Sequence, residues 1–408
     1  MNTSALDVQK LRKDFPQLAD ANYHYLDSAA TSLTPSVVLD ALNEYYTSYR
    51  ANVHRGIFAE AHRATEAYEE TRKKIAVFIG ADAREIIFTG GATESSNMLA
   101  RMLDESLDWN TRKIIVTSVM EHHAGLVPLQ QLAKRQHCLL THIPLATDGV
   151  HLDYTKLNEL ITRDTAIVSV MLASNVTGVI NDISRISARA HEVGALMIVD
   201  ATAAMGHIPV DVHTLGADVV YFSAHKMLGP TGVGVLWAKH ELLEQLAPSS
   251  FGGHMIAHST KHESEWAPIP ERFEAGTKNI GGVIAFGSAI DYLHTIGITA
   301  LHGYVSELVA YAISELEKIP DVRVVAERDP KKNVGDVSFS ASWGHPHDIA
   351  EILGRDRIAV RPGHHCALPY HTELGIDATV RASVYFYNTK EDIDALVGAV
   401  KKAYEIFK

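Results

Sequence analysis

The chain has 408 residues, 46% of them hydrophobic, and a formal net charge of −12. That length accommodates two or three domains with ample core, and the acidic balance argues against a nucleic-acid binder, which wants a basic footprint. Only two cysteines, Cys138 and Cys366, are present, so a disulfide framework is excluded and a reduced cytoplasmic setting is expected. The opening MNTSALDVQKLRKDFPQ lacks a continuous apolar core and carries Asp7 and Asp14, so it reads as neither a signal nor a transit peptide. No apolar run approaches the ~18 residues that a membrane span needs.

Residues 1–22 read as an amphipathic N-terminal helix and linker. Tyr23–Leu26 is a short strand, followed by the tight turn Asp27-Ser28-Ala29-Ala30. Thr34 is placed to N-cap a helix with Pro35 at its first position, and Val38, Ala41, Leu42, Tyr45 and Tyr49 repeat at helical spacing. Asn52-Val53-His54-Arg55-Gly56 breaks that pattern. A long helix over Ala59–Ile79 ends at Gly80, a natural C-cap. Ile86–Thr89 then reads as a strand, and Gly90-Gly91-Ala92-Thr93-Glu94 opens the next helix. Paired glycines let the backbone approach a ligand, and a helix start offers free N–H groups to an anion, so Ala92 and Thr93 are candidates for a phosphate cup. The motif alone is common. Ile114–Val119 is a further strand running into Met120-Glu121-His122-His123, where the adjacent histidines have no third metal ligand at a convincing spacing and no metal is assigned. Ala166–Leu172 is another strand, ending at Ser174-Asn175.

The stretch from Ala195 to Ala238 organises the chain. Leu196–Val199 and Val219–Phe222 are too short for helices and rich in β-branched or aromatic residues, so both read as buried strands. Asp200 closes the first, and Ser223-Ala224-His225-Lys226 follows the second. Strands alternating with helical patterns imply a largely parallel sheet, and ligands collect at the carboxyl ends of such strands. A buried Asp and a Lys delivered there suit pyridoxal phosphate, whose aldehyde forms a Schiff base with lysine and whose ring nitrogen is kept protonated by a carboxylate. Taken singly, a strand-end Asp capping a helix and a surface Lys remain the commoner explanations.

Ala247 to Gly282 shows little periodicity and many Gly, Pro, Ser and His residues; unpatterned segments this long are usually functional, and this one reads as a lid or an arm touching a second subunit. A smaller C-terminal domain spans 291–408, beyond a large domain at 23–290. Within it, Asp348–Leu353 is a helix, Ile358–Val360 a strand leading into Arg361-Pro362-Gly363-His364-His365-Cys366-Ala367, and Val380–Val384 another strand. The last helix is capped by Thr389 with Asp392 three residues on. A lone cysteine is most often a small buried hydrophobe; Cys366 sits among Arg361, Gly363 and two histidines, a polar and flexible setting that suits a reactive thiolate. A His-His-Cys metal site is the rival, although consecutive ligands on one short loop converge poorly.

Around Asp200, Ser223-Ala224-His225-Lys226 and the Arg361–Ala367 loop, and along nearly the whole chain, the sequence resembles the SufS-like (group II) cysteine desulfurases of the class V aminotransferases. The resemblance implies an α/β fold of PLP-dependent transferase type I: a large domain with a mostly parallel seven-stranded sheet between helices, plus a smaller α+β C-terminal domain. It implies an enzyme that converts L-cysteine to L-alanine with persulfide transfer to Cys366, feeding iron–sulfur cluster assembly through an acceptor or scaffold protein. Lys226 would carry the cofactor and Asp200 hold its ring nitrogen. His123 would stack on the ring and move protons, with Asn175 near the phenolic oxygen and the substrate carboxylate. Ala92, Thr93, Ser223, His225 and a dimer partner's copy of Thr277 would bind the phosphate; Arg381, assisted by Arg361, would clamp the substrate carboxylate. A shared site implies an obligate homodimer. One departure stands out: Asp200-Ala201-Thr202-Ala203 replaces the family's Asp-Gly-Ala-Gln, removing a donor to the cofactor's phenolic oxygen. Selenocysteine lyase and a non-catalytic sulfur carrier are the alternative functions.

Overall fold

The computed structural model describes residues 6–408; the first five residues of the expected N-terminal segment lie outside the described residues. The large sheet comprises β1 Ile86–Thr89, β2 Ile114–Ser118, β3 Leu139–Ile143, β4 Thr165–Met171, β5 Leu196–Asp200, β6 Val219–Ser223 and β7 Gly234–Ala238. Their spatial order is β1-β7-β6-β5-β4-β2-β3. The run from β6 to β3 is parallel, and β7 is antiparallel to both neighbours. Every residue of β4 and β6 is buried, as sheets covered by helices on both faces require. β3 and β7 are not among the expected strands. β3 is a half-exposed edge with little alternation, and β7 returns from β6 after a short Gly-rich turn.

A second sheet, β8 Val322–Val325, β9 Asp336–Ala341, β10 Arg361–Gly363 and β11 Thr379–Ser383, has the order β8-β9-β11-β10 and is antiparallel throughout. The helix Lys390–Phe407 carries the expected capping box of Thr389 and Asp392. His24–Tyr25 pairs in parallel with Ile358–Ala359, so the beginning of the described chain is stitched to its C-terminal part. Phe15 extends that contact, packing against the rings of Tyr292, Phe386 and Tyr387. In place of one N-terminal helix there is a single α-helical turn, Val8–Leu11, and two 3₁₀ turns.

Two further expectations need correction. The helix after residue 34 begins at Ser36, because Pro35 has an extended ψ of 155° and no side chain caps the helix start. The segment 247–282 contains a hairpin, Ile256–Ser259 with Ser264–Trp266, and its last residues already belong to a helix that starts at Ile280 under an Asn279 cap. The hairpin strands are exposed along nearly their whole length, so no apolar alternation marks them in the sequence. Among the described residues no single helix is long and apolar enough to cross a membrane; Ile280–Ile296 and Ile298–Leu316 are apolar but bend by 75° where they meet.

A buried ion pair ties the end of this segment to the large sheet. Arg72 donates from Nη1 to Glu274 Oε1 at 2.8 Å and from Nη2 to Oε2 at 3.1 Å, and Phe88 N–H donates to Oε1 at 2.6 Å. Glu274 is completely buried. Removing one partner leaves the other charge stranded, which typically costs ~3–5 kcal/mol, whereas an apolar pair of similar volume is often neutral. Glu274→Ala is therefore expected to lower the urea midpoint by an amount equivalent to ~3–5 kcal/mol. Equal stability of Glu274→Ala and the parent would contradict this reading.

Candidate active site

The carboxyl ends of β4, β5 and β6, the start of helix Ala92–Ser106 and two arginines from the second sheet enclose a cavity of about 190 Å³. A ~150 Å³ cavity already admits benzene, so an aromatic ring fits. Lys226 lies in it, on a 3₁₀ turn, Ala224–Lys226, immediately after β6. Burial, and then the nearby Arg381, lower its amine to about 8, against the opposing pull of Asp200 and Asp336. Asp200, the last residue of β5, is 4% exposed. Burial raises its carboxyl above the usual range, opposed by Thr202, Lys226 and Tyr221; the Thr202 N–H donates to Oδ1 at 2.9 Å.

At one end of the cavity, Ser223 Oγ accepts the Ala92 N–H at 2.8 Å at the start of helix Ala92–Ser106. Gly91 precedes it with φ 146°, and a Cβ on Gly234 would lie 2.4 Å from the Gly91 backbone. Both glycines are demanded by that crossing. His225 is fixed by Thr31 and Ser32, whose hydroxyls each donate to its carbonyl at 3.1 Å. Thr93 completes this end, where a helix N-terminus favours an anion.

At the other end stand Arg361 and Arg381, register partners on β10 and β11. Arg381 donates to the Asn175 carbonyl at 2.7 Å and to Asp27 Oδ1 at 3.1 Å. Asn175 Nδ2 in turn donates to the His365 carbonyl at 2.7 Å. Cys366 follows, half-buried, and Arg361 Nη2 approaches its Sγ at 3.8 Å. His365 and Cys366 both have left-handed backbones, with φ 51° and 58°. Such conformations cost non-glycine residues ~1–3 kcal/mol each, and bonds from Asn175 Nδ2 and the His123 N–H to the two carbonyls hold them.

Three of the expected residues do not line this cavity: Cys366, just beyond the lining His365, and His123 and Thr277. His123 does not line the cavity: its N–H donates to the Cys366 carbonyl at 2.7 Å, and its Nε2 accepts the Leu368 N–H at 3.2 Å. The imidazole that lines the cavity belongs to His122, the N-cap of helix His123–Gln136. Its Nδ1 accepts the Ala124 N–H at 3.0 Å, and burial, helped by Lys226, lowers its pKa to about 3. Adjacent histidines are indistinguishable by pattern; the helix start decides which one turns inward. Thr277 lines a separate cavity with Arg55, Tyr68 and His254. Thr202 is a sequence candidate to replace the donor missing at Ala203, and it does line the cavity; His365 was not singled out, since an orphaned polar atom becomes visible only once the chain is folded.

Four buried polar atoms of lining residues have no protein partner: Asn175 Oδ1, Thr202 Oγ1, His365 Nδ1 and Arg381 Nε. Together with a depressed lysine, a carboxylate and a helix N-terminus, this donor set fits a pyridoxal phosphate with an amino-acid carboxylate beside it. Ala203 also lines the cavity, so the missing donor is a gap in the wall, and Thr202 Oγ1 is the unpartnered group next to it in sequence.

The chain matches the aminotransferase class-V family over residues 24–396. It is 45% identical to a probable cysteine desulfurase of Streptomyces coelicolor, over 98% of both chains. The structure of a cysteine desulfurase from Thermococcus onnurineus, 38% identical, superposes with a TM-score of 0.94 over 99% of this chain and 100% of that one. That of the cysteine desulfurase CsdA of Escherichia coli, 37% identical, does so with 0.92 over the same shares. With its family match covering nearly the whole chain and its fold shared with these enzymes, the protein belongs to the class-V aminotransferase family.

Proposed function

We propose that this protein is a pyridoxal-phosphate-dependent cysteine desulfurase that converts L-cysteine to L-alanine and holds the sulfur as a persulfide on Cys366. The observation that carries the reading is a buried Lys226 and Asp200 in one cavity, with a half-buried cysteine one residue beyond the cavity-lining His365. When bound, pyridoxal phosphate supplies an electron sink for the substrate's Cα. Lys226 would hold its aldehyde, Asp200 its ring nitrogen, and Thr93, Ser223 and His225 its phosphate.

The residues of the chain then divide the work. Arg381 offers its unpartnered Nε to the substrate carboxylate. Lys226, with its amine near 8, is poised to accept the Cα proton near neutral pH. His122, kept neutral by burial, leaves its Nε2–H for the cavity because Nδ1 accepts the Ala124 N–H; the stacking role expected of His123 belongs to it in this reading. Arg361 Nη2 faces the Cys366 sulfur at 3.8 Å. The Cys366 thiolate attacks the substrate sulfur. An S–S bond forms as the C–S bond breaks and the bonding pair goes to Cβ; protonation at Cβ and return of the proton held by Lys226 to Cα yield alanine.

A cytoplasmic homodimer supplying an iron–sulfur scaffold or another sulfur acceptor is the setting proposed. The dimer is supported by Ile57 at 93% and Phe58 at 54% exposure, close in sequence to Arg55, which lines the Thr277 cavity. Thr277 would reach the partner's phosphate from there. The large and small domains are proposed at 23–290 and 291–408, with residues 1–22 packing on the latter.

Cys366→Ala is expected to retain cofactor and bind L-cysteine, yet to lose alanine formation by several orders of magnitude, while activity on selenocysteine survives better. Alanine quantification with each amino acid tests this, and parent-level alanine from cysteine would refute the mechanism. The two histidines separate in a second measurement. His122→Ala should lower kcat by about tenfold, in line with loss of one hydrogen bond in the cavity, and change the cofactor's visible spectrum. His123→Ala should leave the spectrum unaltered. A spectral change confined to His123→Ala would restore the original assignment.

A further inference from the structure

Three polar groups, from Asp200, Tyr221 and Glu121, converge on one bare Cα, that of Gly125. Tyr221 on β6 is the register partner of Asp200 on β5, so the two side chains share a face of the sheet. Over that face lies the first turn of helix His123–Gln136, where Gly125 leaves room for them. A Cβ on Gly125 would stand 3.0 Å from Tyr221 Oη, 3.6 Å from Glu121 Oε2 and 3.9 Å from Asp200 Oδ2. Glu121 is held from behind: its Oε1 accepts from Ser118 Oγ and, at 3.1 Å, from the Met171 N–H. Tyr221 and Glu121 are each 2% exposed. Neither belongs to the cavity lining.

We propose that Tyr221 is a positioning residue for Asp200, its hydroxyl donating to the carboxylate while Glu121 closes the cluster. This rests on the proposed cofactor reading, in which Asp200 must be ionised to hold a protonated ring nitrogen. The charges agree with the geometry. Burial, with Asp200 and Glu121 adding to it, pushes the Tyr221 phenol far above its ordinary value, so it stays a donor. Burial also raises Glu121 to about 8, so it is a neutral acid at lower pH and adds no second negative charge beside Asp200. Asp200 is raised by burial and brought down by Thr202, Lys226 and Tyr221. Deleting the Tyr221 hydroxyl therefore raises Asp200 further, and cofactor affinity must fall away at a higher pH as the solution is acidified.

The test is the dissociation constant for pyridoxal phosphate, measured by equilibrium binding to the cofactor-free full-length chain from pH 4 to pH 8, for the parent and Tyr221→Phe. Lys226 and Glu121, both near 8, remain protonated through the acid limb. His122, near 3, His225, near 4, His365, near 2, Arg361 and Arg381 also line the cavity, and the buried Asp336, near 6, acts on Lys226; all are common to both proteins, so the difference isolates the hydroxyl. Loss of a hydrogen bond to a charged group predicts a limb displaced upward by about one pH unit, or about tenfold weaker binding at a pH on the limb. Near-UV circular dichroism checks that Tyr221→Phe keeps the parent's packing. Superimposable profiles, with the parent binding normally, would overturn the role of Tyr221. A parent that binds no pyridoxal phosphate at any pH would instead overturn the cofactor reading itself.

Discussion

Lys226 is enclosed among fixed charges at the end of β6, and burial makes its protonated form costly. Asp200 and Asp336 draw the proton back, while Arg381 and Arg361 repel it. The balance leaves an amine that can lose its proton near neutral pH, which exposed lysines do not. The parallel sheet makes this possible: β5 and β6 end side by side, so a carboxylate and an amine arrive at one edge from strands that are buried on both faces.

The second sheet is bound to this lysine by the same charges. Arg381 lies on β11, yet its hydrogen bonds go to Asn175, just beyond β4, and to Asp27 in the N-terminal turn. Asn175 returns the contact to the carbonyl of His365, and the His123 backbone does so to Cys366. The cysteine loop, with its two left-handed residues, is thus positioned by groups on the large sheet. The strain is concentrated at His365 and Cys366, both held by bonds from the large sheet's side.

Much of this was readable in the residues. Strands buried on both faces announce themselves as short β-branched runs, so β5 and β6, and with them Asp200 and Lys226, follow from pattern alone. The capping box at Thr389 and Asp392 and the Gly80 C-cap are local and equally legible. The edge strand β3 and the exposed hairpin at 256–266 are not, because an exposed strand leaves no alternation to read. The choice between His122 and His123 needed the helix start, whose N-cap turns one imidazole into the cavity and leaves the other on the cysteine loop. Thr277 was identified by resemblance, and within one chain it lies in a different cavity. The Tyr221 and Glu121 cluster was invisible for a third reason: its members are far apart in sequence and meet only where Gly125 lacks a side chain.

The ionisation of Lys226 tests the account most directly. In the cofactor-free protein, ¹⁵N-lysine NMR, with the resonance assigned by its loss in Lys226→Arg, should give a titration midpoint close to 8. A midpoint near the ordinary lysine value of 10.5 would mean that burial and the arginines do not govern this amine, and the electrostatic basis of the site would fall with it.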